Sequence, residues 1–475
     1  MGNIIGFILG ILAFNLWQLL TERRILRNVT ERWQKDDKFV TKLLTFPWGY
    51  YILINNKNLI KNGGIILAIG DIIVGIDIGT SKVSTVVGEV NNFNQVEIIA
   101  TAEAKCFGMK KSKITDEEEI ASAISKAIKE VEEVANLNIN SAYVTIPGKY
   151  VTIVQNSIVK EAKDKYAGIS SKDVSSAMVQ VRDIEIPDDK VLIDVVADEF
   201  SLDNGKVVDD PVGSLSSTFT VKGQVLLAEK EYVKQLSNIF KKANMEIDGI
   251  VPNVLSERTL ILDENELKDN IMILDIGAGN TDIGVFEGAS FMYTDTIPLG
   301  GDNITTDIAY VFNITEEEAD RLKRQYGLAL KSFIDNDTDI MLNTYKGEER
   351  TKTIKSSELI EVIEARIEEI FTIVNKNITN EGVKANINNV ILTGQGITNI
   401  NKSDVAGKII LNIPVKISTG RLISTIKANY RSSYALVRYV SARPFTKTVS
   451  SSIDTKSDEN IIKVLVERVK EFFYS

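Results

Sequence analysis

Two short stretches of the chain repeat one pattern of residues suited to phosphate binding. The first reads VGIDIGTSKVST, from Val74 to Thr85, and the second reads ILDIGAGNTDIG, from Ile273 to Gly284. In each, an apolar run ends at an aspartate, and a glycine two residues later lets the backbone bend and approach a ligand closely. Hydroxyl, amide and backbone N–H groups follow, and such donors bind phosphate oxygens. Two facing turns of this kind predict a clamp on a phosphate chain.

Three aspartates of these turns supply the carboxylates that phosphate chemistry needs. Asp77 ends the first apolar run, Asp275 ends the second, and Asp282 follows in the second turn. Carboxylates near phosphates typically hold a hydrated Mg²⁺ and orient a water molecule. We therefore predict these roles for the three aspartates, with Asp77 and Asp275 reaching the ion through its water ligands.

Two later glycine turns extend the predicted site. They read PLGGDN, at 298–303, and LTGQG, at 392–396, and the second follows a predicted buried strand, where it suits a nucleoside base and ribose. One DIG sequence alone is explained equally well by an ordinary β-turn. Two DIG sequences at strand ends, together with these two further turns, indicate a phosphate-binding site more strongly. The predicted cofactor-binding residues are Gly79, Thr80, Ser81, Lys82, Gly277, Gly279, Asn280, Thr281, Gly300, Gly301, Asp302, Gly394, Gln395 and Gly396.

The composition excludes several other kinds of site. The 475-residue chain has no histidine and one cysteine, Cys106. It therefore has no Ser-His-Asp or Cys-His nucleophile system, no His-liganded zinc site and no intrachain disulfide. The formal net charge of −10 argues against broad nucleic-acid binding, because nucleic-acid phosphates would be repelled. The length predicts two or more subdomains.

The turns need strands and helices that bring them together. A β-hairpin is predicted around each turn, and residues 190–227 are predicted to be β-rich, with a tight turn at 203–205. Strand-rich sheets with helices between them make the fold class α/β. Helices are predicted over 115–135, which has an acidic first turn, and over 171–183, 229–245, 315–335 and 355–380.

This set of motifs resembles the actin-like ATPase superfamily, which has two phosphate loops and an adenosine loop in this order. Within that superfamily, the chain is similar to the FtsA family of bacterial cell-division proteins from Ile72 to its C-terminus. The similarity is carried by VGIDIGTSKV, by IPLGGDNITTDIAYVF, by ELIEVIEARIEEIF at 358–371 and by DDPVG at 209–213. It implies two lobes around a nucleotide cleft, with an extra subdomain of the FtsA type.

The resemblance also implies how the chain is divided. The expected segments are an N-terminal extension (1–70), a first lobe with the phosphate-1 hairpin (71–149), the extra subdomain (150–227), a link to the second lobe with the phosphate-2 hairpin (228–302), a partner-binding subdomain (303–385), the adenosine loop and return to the core (386–445), a linker (446–458) and a membrane-targeting helix (459–475).

FtsA-like proteins bind ATP with Mg²⁺, polymerise head to tail and hold the C-terminal peptide of FtsZ. The resemblance therefore implies a tether that attaches FtsZ filaments, with other division proteins, to the cytoplasmic face of the membrane at the division septum. Carried over by position, Arg366 and Lys352 are expected to contact the FtsZ peptide. A surface ion pair with Glu369, one turn further along the helix, explains Arg366 equally well.

The C-terminal segment predicts membrane contact. After the polar linker at 446–458, apolar residues recur at helical spacing, with charged residues mostly opposite. A helix of this kind on a flexible linker suits the interface of anionic inner-membrane lipids, and a helix docked on its own domain is the alternative. The predicted membrane-contacting residues are Ile461, Ile462, Leu465, Val466, Val469, Phe472 and Phe473.

The N-terminal residues leave two interpretations open. Residues 4–20 are mostly apolar and basic residues follow them, which fits a short membrane span with the rest of the chain in the cytoplasm. Alternatively, translation begins near Leu67, after the pair Gly63 and Gly64, and the leader is translated upstream sequence. The codons for 63–67 distinguish the two interpretations.

Some residues depart from the FtsA pattern. Ala278 and Asn280 in the second phosphate loop and Gln395 in the adenosine turn are unusual, and IVPNVLSER (250–258) lacks the glutamine that orients water in actin. We therefore expect at most slow ATP hydrolysis.

Three other functions remain as alternatives. A PilM-like scaffold of a pilus or secretion assembly shares the phosphate loops but normally lacks the amphipathic tail. A sugar or acid kinase needs a general-base aspartate in the first half, and a heat-shock chaperone needs a long β-rich domain after about residue 445; neither feature is found in the sequence.

Overall fold

The computed structural model contains two compact units, residues 1–69 and 70–475. In the first, the described structure is a short antiparallel pairing of Leu44–Thr45 with Tyr51–Ile52. Within the described part of the chain, no helix is both long and apolar enough to span a bilayer. The structure describes residues 44–45, 51–52, 71–91, 95–163, 168–263, 265–343, 351–418 and 427–442.

The second unit begins with the antiparallel strands of the first lobe. These are β1 (Asp71–Ile78), β2 (Lys82–Val90) and β3 (Val96–Lys105), and helix α1 (Glu117–Ala135) and strand β4 (Ser141–Ile146) follow. The carboxylate of Asp116 caps α1 by accepting a hydrogen bond from the backbone N–H of Glu119, and three glutamates fill the first turn, as predicted.

The chain then forms a separate small sheet. Its elements are β5 (Val151–Glu161), α2 (Ser171–Val181), β6 (Lys190–Leu202), β7 (Val207–Val208) and β8 (Thr218–Glu229), and the antiparallel strand order is β7-β6-β8-β5. Helix α2 packs on one face over an apolar core of its own. Gly205 has a φ of +78°, which fits the predicted tight turn.

Three elements return the chain to the first lobe. They are α3 (Lys230–Lys242), β9 (Glu246–Pro252) and α4 (Asn253–Ile261). Strand β9 pairs in parallel with β4, and β4 pairs in parallel with β1. The first-lobe sheet therefore has the order β3-β2-β1-β4-β9, and α4 begins directly where its last strand ends.

The second lobe occupies most of the remaining described chain. Its strands are β10 (Asn270–Ile276), β11 (Thr281–Glu287), β12 (Ser290–Ile297), β13 (Asp339–Asn343), β14 (Thr351–Lys355), β15 (Asn389–Thr393) and β16 (Val415–Ile417). Its helices are α5 (Gly301–Phe312), α6 (Glu316–Tyr326), α7 (Ser356–Asn380) and α8 (Ser403–Leu411). A last helix, α9 (Arg431–Ser441), packs back on the first lobe.

The two lobes repeat one sheet topology, which explains the repeated sequence pattern. The second sheet has the order β12-β11-β10-β15-β16, with antiparallel pairs first and parallel pairs after β10. The first sheet runs through the same sequence of pairings. In each lobe the glycine turn joins the first two strands, so both turns leave the sheet at equivalent positions.

One predicted helix is wrong in its length. The prediction over 315–335 ends early, because α6 stops at Tyr326 and a short 3₁₀ turn occupies Lys331–Phe333. Between them the backbone pairs with a distant segment: Ala329 N–H donates to the carbonyl of Asn401, and Asn401 N–H donates to that of Gly327. These tertiary hydrogen bonds replace the helical ones. The helix predicted over 355–380 is confirmed as α7.

Candidate functional site

The two glycine turns face each other across one cleft of about 340 Å³. Each turn is closed by the same backbone hydrogen bond, from Gly79 N–H to the Lys82 carbonyl in the first and from Gly277 N–H to the Asn280 carbonyl in the second, both 2.9 Å. The tips are in direct contact, since a Cβ built on Gly279 would lie 2.8 Å from Thr80 Oγ1. Glycine at 279 therefore permits the close approach of the two lobes.

The two later glycine turns dock on the second turn. The N-terminus of α5 is held there by Asp302 N–H, which donates to the Ala278 carbonyl at 2.8 Å. The turn after β15 is held by Gly396 N–H, which donates to the Ile276 carbonyl at 2.9 Å. Gly394 has a φ of +94°, and its Cβ would lie 2.2 Å from the same Ile276 oxygen. Three of the predicted turns thus form one wall of the cleft.

Most of the predicted cofactor residues line this cleft, and two do not. Thr281 is fully buried and its hydroxyl donates to the Leu299 carbonyl at 2.8 Å. Gly300 packs against the backbone of Ala278, and a Cβ built on Gly300 would lie 2.5 Å from the Ala278 carbonyl oxygen. These two residues shape the turns. The predicted residues that line the cleft are Asp77, Gly79, Thr80, Ser81, Lys82, Asp275, Gly277, Gly279, Asn280, Asp282, Gly301, Asp302, Gly394, Gln395 and Gly396.

The three predicted aspartates form the acidic part of the cleft. Asp77 accepts a 2.7 Å hydrogen bond from Thr145 Oγ1, and Asp282 accepts one from Thr296 Oγ1. Burial raises the pKa of Asp77 and of Asp275 above the ordinary value. Burial also raises the pKa of Asp282 to about 7; the hydrogen bond from Thr296 opposes this shift and the negative charge of Asp275 adds to it. Grouped carboxylates of this kind favour a bound cation.

The carboxylate oxygens fit a hydrated Mg²⁺. Among the described residues, no group of three or more acidic, histidine or cysteine side chains is arranged to hold a metal directly. Mg²⁺ usually keeps several of its waters and takes one or two carboxylates plus phosphate oxygens. The oxygen donors of Asp77 and Asp275 are therefore of the right chemical kind for contact with the ion through water.

Asn253 is a cleft residue that the sequence analysis missed. It is the first residue of α4, and its Nδ2 donates to Asp275 Oδ2 and to Asp282 Oδ2, both at 3.3 Å. The segment 250–258 was considered only for the absence of a glutamine. Its position was predictable once β9 is placed beside β4, because both parallel strands then end at the cleft.

Basic side chains from distant elements also enter the cleft. Lys323 of α6 is 7% exposed, and its Nζ donates to the Gly301 carbonyl at 3.0 Å and pairs with Asp320 at 2.9 Å. Arg324 lines the cleft beside it. These residues were missed because the sequence alone does not show which face of α6 meets the cleft.

A third basic side chain from a distant element enters from the first-lobe side. Arg431, at the start of α9, donates to Thr393 Oγ1 and lies 3.9 Å from Asp275. Behind it, the fully buried Glu257 accepts a 3.1 Å hydrogen bond from Ser432 Oγ, and burial raises the pKa of this carboxyl well above its ordinary value.

The predicted partner-binding residues lie away from the cleft. Arg366 of α7 forms two hydrogen bonds to Asp307 of α5, at 2.6 and 2.9 Å, and also pairs with Glu369. The ion pair with Glu369 that we considered as an alternative is therefore present, and Asp307 is an additional partner. Lys352 is exposed on β14. The predicted membrane residues between 461 and 473 lie outside the described residues, as does the apolar stretch at 4–20.

Comparison with known proteins identifies the family. A family model described as cell division protein FtsA matches residues 272–437, and a model of the SHS2 domain inserted in FtsA matches residues 148–227. The Cell division protein FtsA of Bacillus subtilis is 28% identical over 369 residues, which cover 78% of this chain and 83% of that protein. The one from Escherichia coli K12 is 27% identical over 333 residues, covering 68% and 78%. The chain belongs to the FtsA family.

A solved structure agrees with the predicted fold. The chain is similar to a chain of the PilM-PilN type IV pilus biogenesis complex with a TM-score of 0.51, at 14% identity, over 78% of this chain and 99% of that one. At this identity the likeness concerns the fold alone. The actin-like ATPase fold is confirmed, and the chain is a cell division protein of the FtsA family. Because both matching family models are of FtsA, the PilM-like alternative is not favoured.

Proposed function

We propose that this FtsA-family protein binds ATP, polymerises, and tethers FtsZ filaments to the cytoplasmic face of the cell membrane at the division septum. One observation carries the nucleotide part of the proposal: four glycine turns from two lobes meet in a single cleft lined by carboxylates and basic side chains. Backbone N–H groups in such turns are suited to phosphate oxygens.

Each wall of the cleft takes a different part of ATP. The turns at 79–82 and 277–280 clamp the phosphates, with Lys82 adding positive charge. The turn at 394–396 takes the base and ribose, beside Lys323 and Arg324. Asp77 and Asp275 hold Mg²⁺ through water, and the ion neutralises charge on the phosphates when bound. Ala278 and Gln395 stand where the FtsA family usually has glycine, so we propose that ATP serves mainly as a structural and polymerisation ligand and is hydrolysed slowly.

The surface around Arg366 is the proposed site for the FtsZ peptide. Arg366 is 22% exposed at its side chain, and Tyr310, three residues after Asp307 on α5, is 87% exposed. An arginine whose ion-pair partner lies one helical turn from an exposed aromatic ring suits a short peptide that carries both a carboxylate and an apolar side chain. A peptide carboxylate at this place replaces Glu369, the more exposed of the two partners of Arg366.

ATP binding is tested with a fluorescent ATP analogue and with the thermal shift caused by Mg-ATP. In Gly279→Val, the new side chain clashes with Thr80 and separates the two turns, so we expect at least a tenfold loss of affinity. Thr259→Ala, on α4 but outside the cleft lining, is the matched control and retains wild-type affinity. Equal affinity of both variants would reject the proposed cleft.

The membrane proposal is tested by co-sedimentation with anionic liposomes in the presence of ATP. Three chains are compared: the full chain, a chain that ends at Lys456, and a chain that lacks residues 1–66. We expect loss of binding only when the C-terminal helix is removed. If the chain that ends at Lys456 still pellets and the one without residues 1–66 does not, the anchor is N-terminal.

A further inference from the structure

We propose that Arg431 takes over part of the role of Mg²⁺ in the cleft, so that ATP also binds when the ion is absent. The inference rests on the proposed function, because it requires ATP to bind between the two glycine turns. It gives one side chain of α9 a part in neutralising the charge of Asp275 and of the bound phosphates. It also predicts how nucleotide affinity depends on Mg²⁺.

The backbone of Arg431 is anchored on the first lobe. Arg431 is the first residue of α9, and two residues later the hydroxyl of Ser433 shares a 3.1 Å hydrogen bond with that of the buried Ser84 on β2. The Ser433 carbonyl packs against β1, since a Cβ built on Gly75 would lie 2.7 Å from its oxygen. The Arg431 side chain therefore extends from a closely packed point.

The guanidinium of Arg431 contacts the second lobe. It donates a hydrogen bond to Thr393 Oγ1 at the end of β15, and its Nη2 lies 3.9 Å from Asp275 Oδ1 near the end of β10. The side chains of Arg431 and Asp275 are each 12% exposed, so solvent ions screen this pair little. A positive charge is therefore held beside one of the two aspartates proposed to contact hydrated Mg²⁺.

Part of this guanidinium remains available to a ligand. An arginine side chain carries several N–H donors, and within the described ranges the one hydrogen bond that Arg431 makes through them is that to Thr393. No side-chain nitrogen of Arg431 is a buried atom without a partner in this part of the chain, so the other N–H groups are accessible. Since Arg431 lines the cleft, a phosphate oxygen there can accept charge-assisted hydrogen bonds from them.

Other basic side chains of the cleft have different carboxylate partners. Lys82 pairs with Glu103 at 3.2 Å, and Lys323 pairs with Asp320 at 2.9 Å. Among the ion pairs of the described residues, that of Arg431 is the one that includes one of the three predicted cleft aspartates. Its charge therefore has the most direct effect on the site proposed for Mg²⁺.

A cation in this position reduces the need for the metal ion. Carboxylates of the cleft and phosphates of ATP repel one another, and this repulsion opposes binding unless a positive charge compensates it. Mg²⁺ neutralises phosphate charge in nucleotide sites, whereas the charge of Arg431 stays in place when the ion is removed. The two cations also repel each other, so Arg431 weakens Mg²⁺ binding at Asp275. Both effects make the affinity for ATP depend only weakly on Mg²⁺.

Two substitutions at this position test the charge. Arg431→Met keeps a long unbranched side chain without the charge, and Arg431→Lys keeps the charge without the planar guanidinium. Arg324→Met is the matched control, because Arg324 also lines the cleft but pairs with Asp320 on its own helix at 2.6 Å. A general loss of packing lowers affinity equally with and without Mg²⁺, whereas loss of the compensating charge matters mainly without it.

The experiment measures the affinity for a fluorescent ATP analogue in excess Mg²⁺ and in EDTA, together with the unfolding temperature of each variant. On removal of Mg²⁺ we expect a loss of less than about fivefold in the wild type, in Arg431→Lys and in Arg324→Met, and of at least about twentyfold in Arg431→Met. In excess Mg²⁺, Arg431→Met should bind within about threefold of the wild type.

Three results would overturn the proposal. The first is a loss of about fivefold or more in the wild type without Mg²⁺, which needs no variant to be measured. The second is equal dependence on Mg²⁺ in the wild type and in Arg431→Met. The third is an Arg431→Lys variant that depends on Mg²⁺ as strongly as Arg431→Met, since the charge is then not what matters.

The assay also separates the two proposals from each other. A wild-type protein that binds the analogue in Mg²⁺ but not in EDTA overturns the role of Arg431 and leaves the proposed nucleotide binding intact. A wild-type protein that binds the analogue in neither condition rejects both.

Discussion

Gln224 and Phe291 exchange two hydrogen bonds across the contact between the small antiparallel sheet and the second lobe. Gln224 Nε2 donates to the Phe291 carbonyl at 2.8 Å, and the Phe291 N–H donates to Gln224 Oε1 at 3.0 Å. Gln224 is fully buried, and Phe291 lies on β12, the edge strand of the second-lobe sheet. The side chain therefore pairs with the sheet edge as a neighbouring strand would, and it attaches the small sheet to the lobe that carries Asp282.

Replacing Gln224 should weaken this attachment. In Gln224→Leu the buried N–H and carbonyl of Phe291 lose their partners, which costs about 1–3 kcal/mol for each group. We expect the free energy of unfolding in urea to fall by about 2–4 kcal/mol. Gln155→Leu, on the neighbouring β5, is the matched control; Gln155 is exposed and its bond goes to a methionine sulfur, so the change should be below about 0.5 kcal/mol. Equal effects of the two variants would contradict this account.

The residues of the turns were predictable because their chemistry is local. Asp77 and Asp275 at strand ends, each with a glycine two residues later, identify a turn from neighbouring positions alone. The helices at 115–135 and 355–380 were also predictable, from their periodicity and from the acidic first turn of α1.

The missed residues depend on tertiary structure. Asn253, Lys323 and Arg431 come from α4, α6 and α9, and each reaches the cleft because of how its helix packs against neighbouring elements. Gln224 has no sequence signal at all, since its partners are the backbone groups of Phe291, 67 residues later. The early end of α6 also depends on tertiary structure, because backbone hydrogen bonds with Asn401 replace those that would continue the helix.

The turn after β15 should tolerate no side chain at Gly394. Its φ of +94° is strained for any other residue, and a Cβ would also lie 2.2 Å from the Ile276 carbonyl oxygen. Gly382 has a φ of +73° but open space around its Cβ position. Gly382→Ala therefore measures the cost of the backbone strain without a steric clash, about 1–2 kcal/mol. We expect Gly394→Ala to lose more stability in urea than Gly382→Ala and, unlike it, to lose affinity for ATP. Similar losses in the two variants would show that the contact with Ile276 is relieved by small shifts.

Asp198 of β6 should make stability depend on pH. Burial raises the pKa of this carboxyl from 3.8 to about 6, against opposing contributions from a hydrogen bond with Ser290 and from Arg258. A carboxyl with a raised pKa in the folded state binds its proton more tightly there than in the unfolded chain. The stability that it contributes is therefore full below pH 3.8 and is lost as the pH rises to about 6.

Asp198→Asn should accordingly stabilise the protein at pH 7.5, by about 2 kcal/mol, and the gain should vanish near pH 4. Asp203, in the turn that follows β6, provides the opposite case, since hydrogen bonds from Ser217 lower its pKa. Asp203→Asn should destabilise the protein at pH 7.5, and this loss of stability should disappear at acidic pH. Thermal unfolding of both variants between pH 4 and 8 checks the two signs, and a stabilisation by Asp198→Asn that does not change with pH would contradict the assignment.

Arg366 should respond differently to changes in its two partners if it receives the FtsZ peptide. Glu369 is the partner that a peptide carboxylate would displace, so Glu369→Gln removes a competitor, and we expect tighter peptide binding, by about twofold to fivefold. Arg366→Ala should weaken binding about tenfold or more, because the charged partner is lost. Arg321→Ala, which breaks a comparable ion pair with Glu318 on α6, is the control and should leave affinity unchanged. Fluorescence anisotropy of a labelled FtsZ C-terminal peptide measures the affinity of all three variants. Because each variant breaks a surface ion pair, the unfolding temperature of each is also compared with that of the wild type. Unchanged affinity in Arg366→Ala would mean that Arg366 serves only to join α5 and α7 through Asp307.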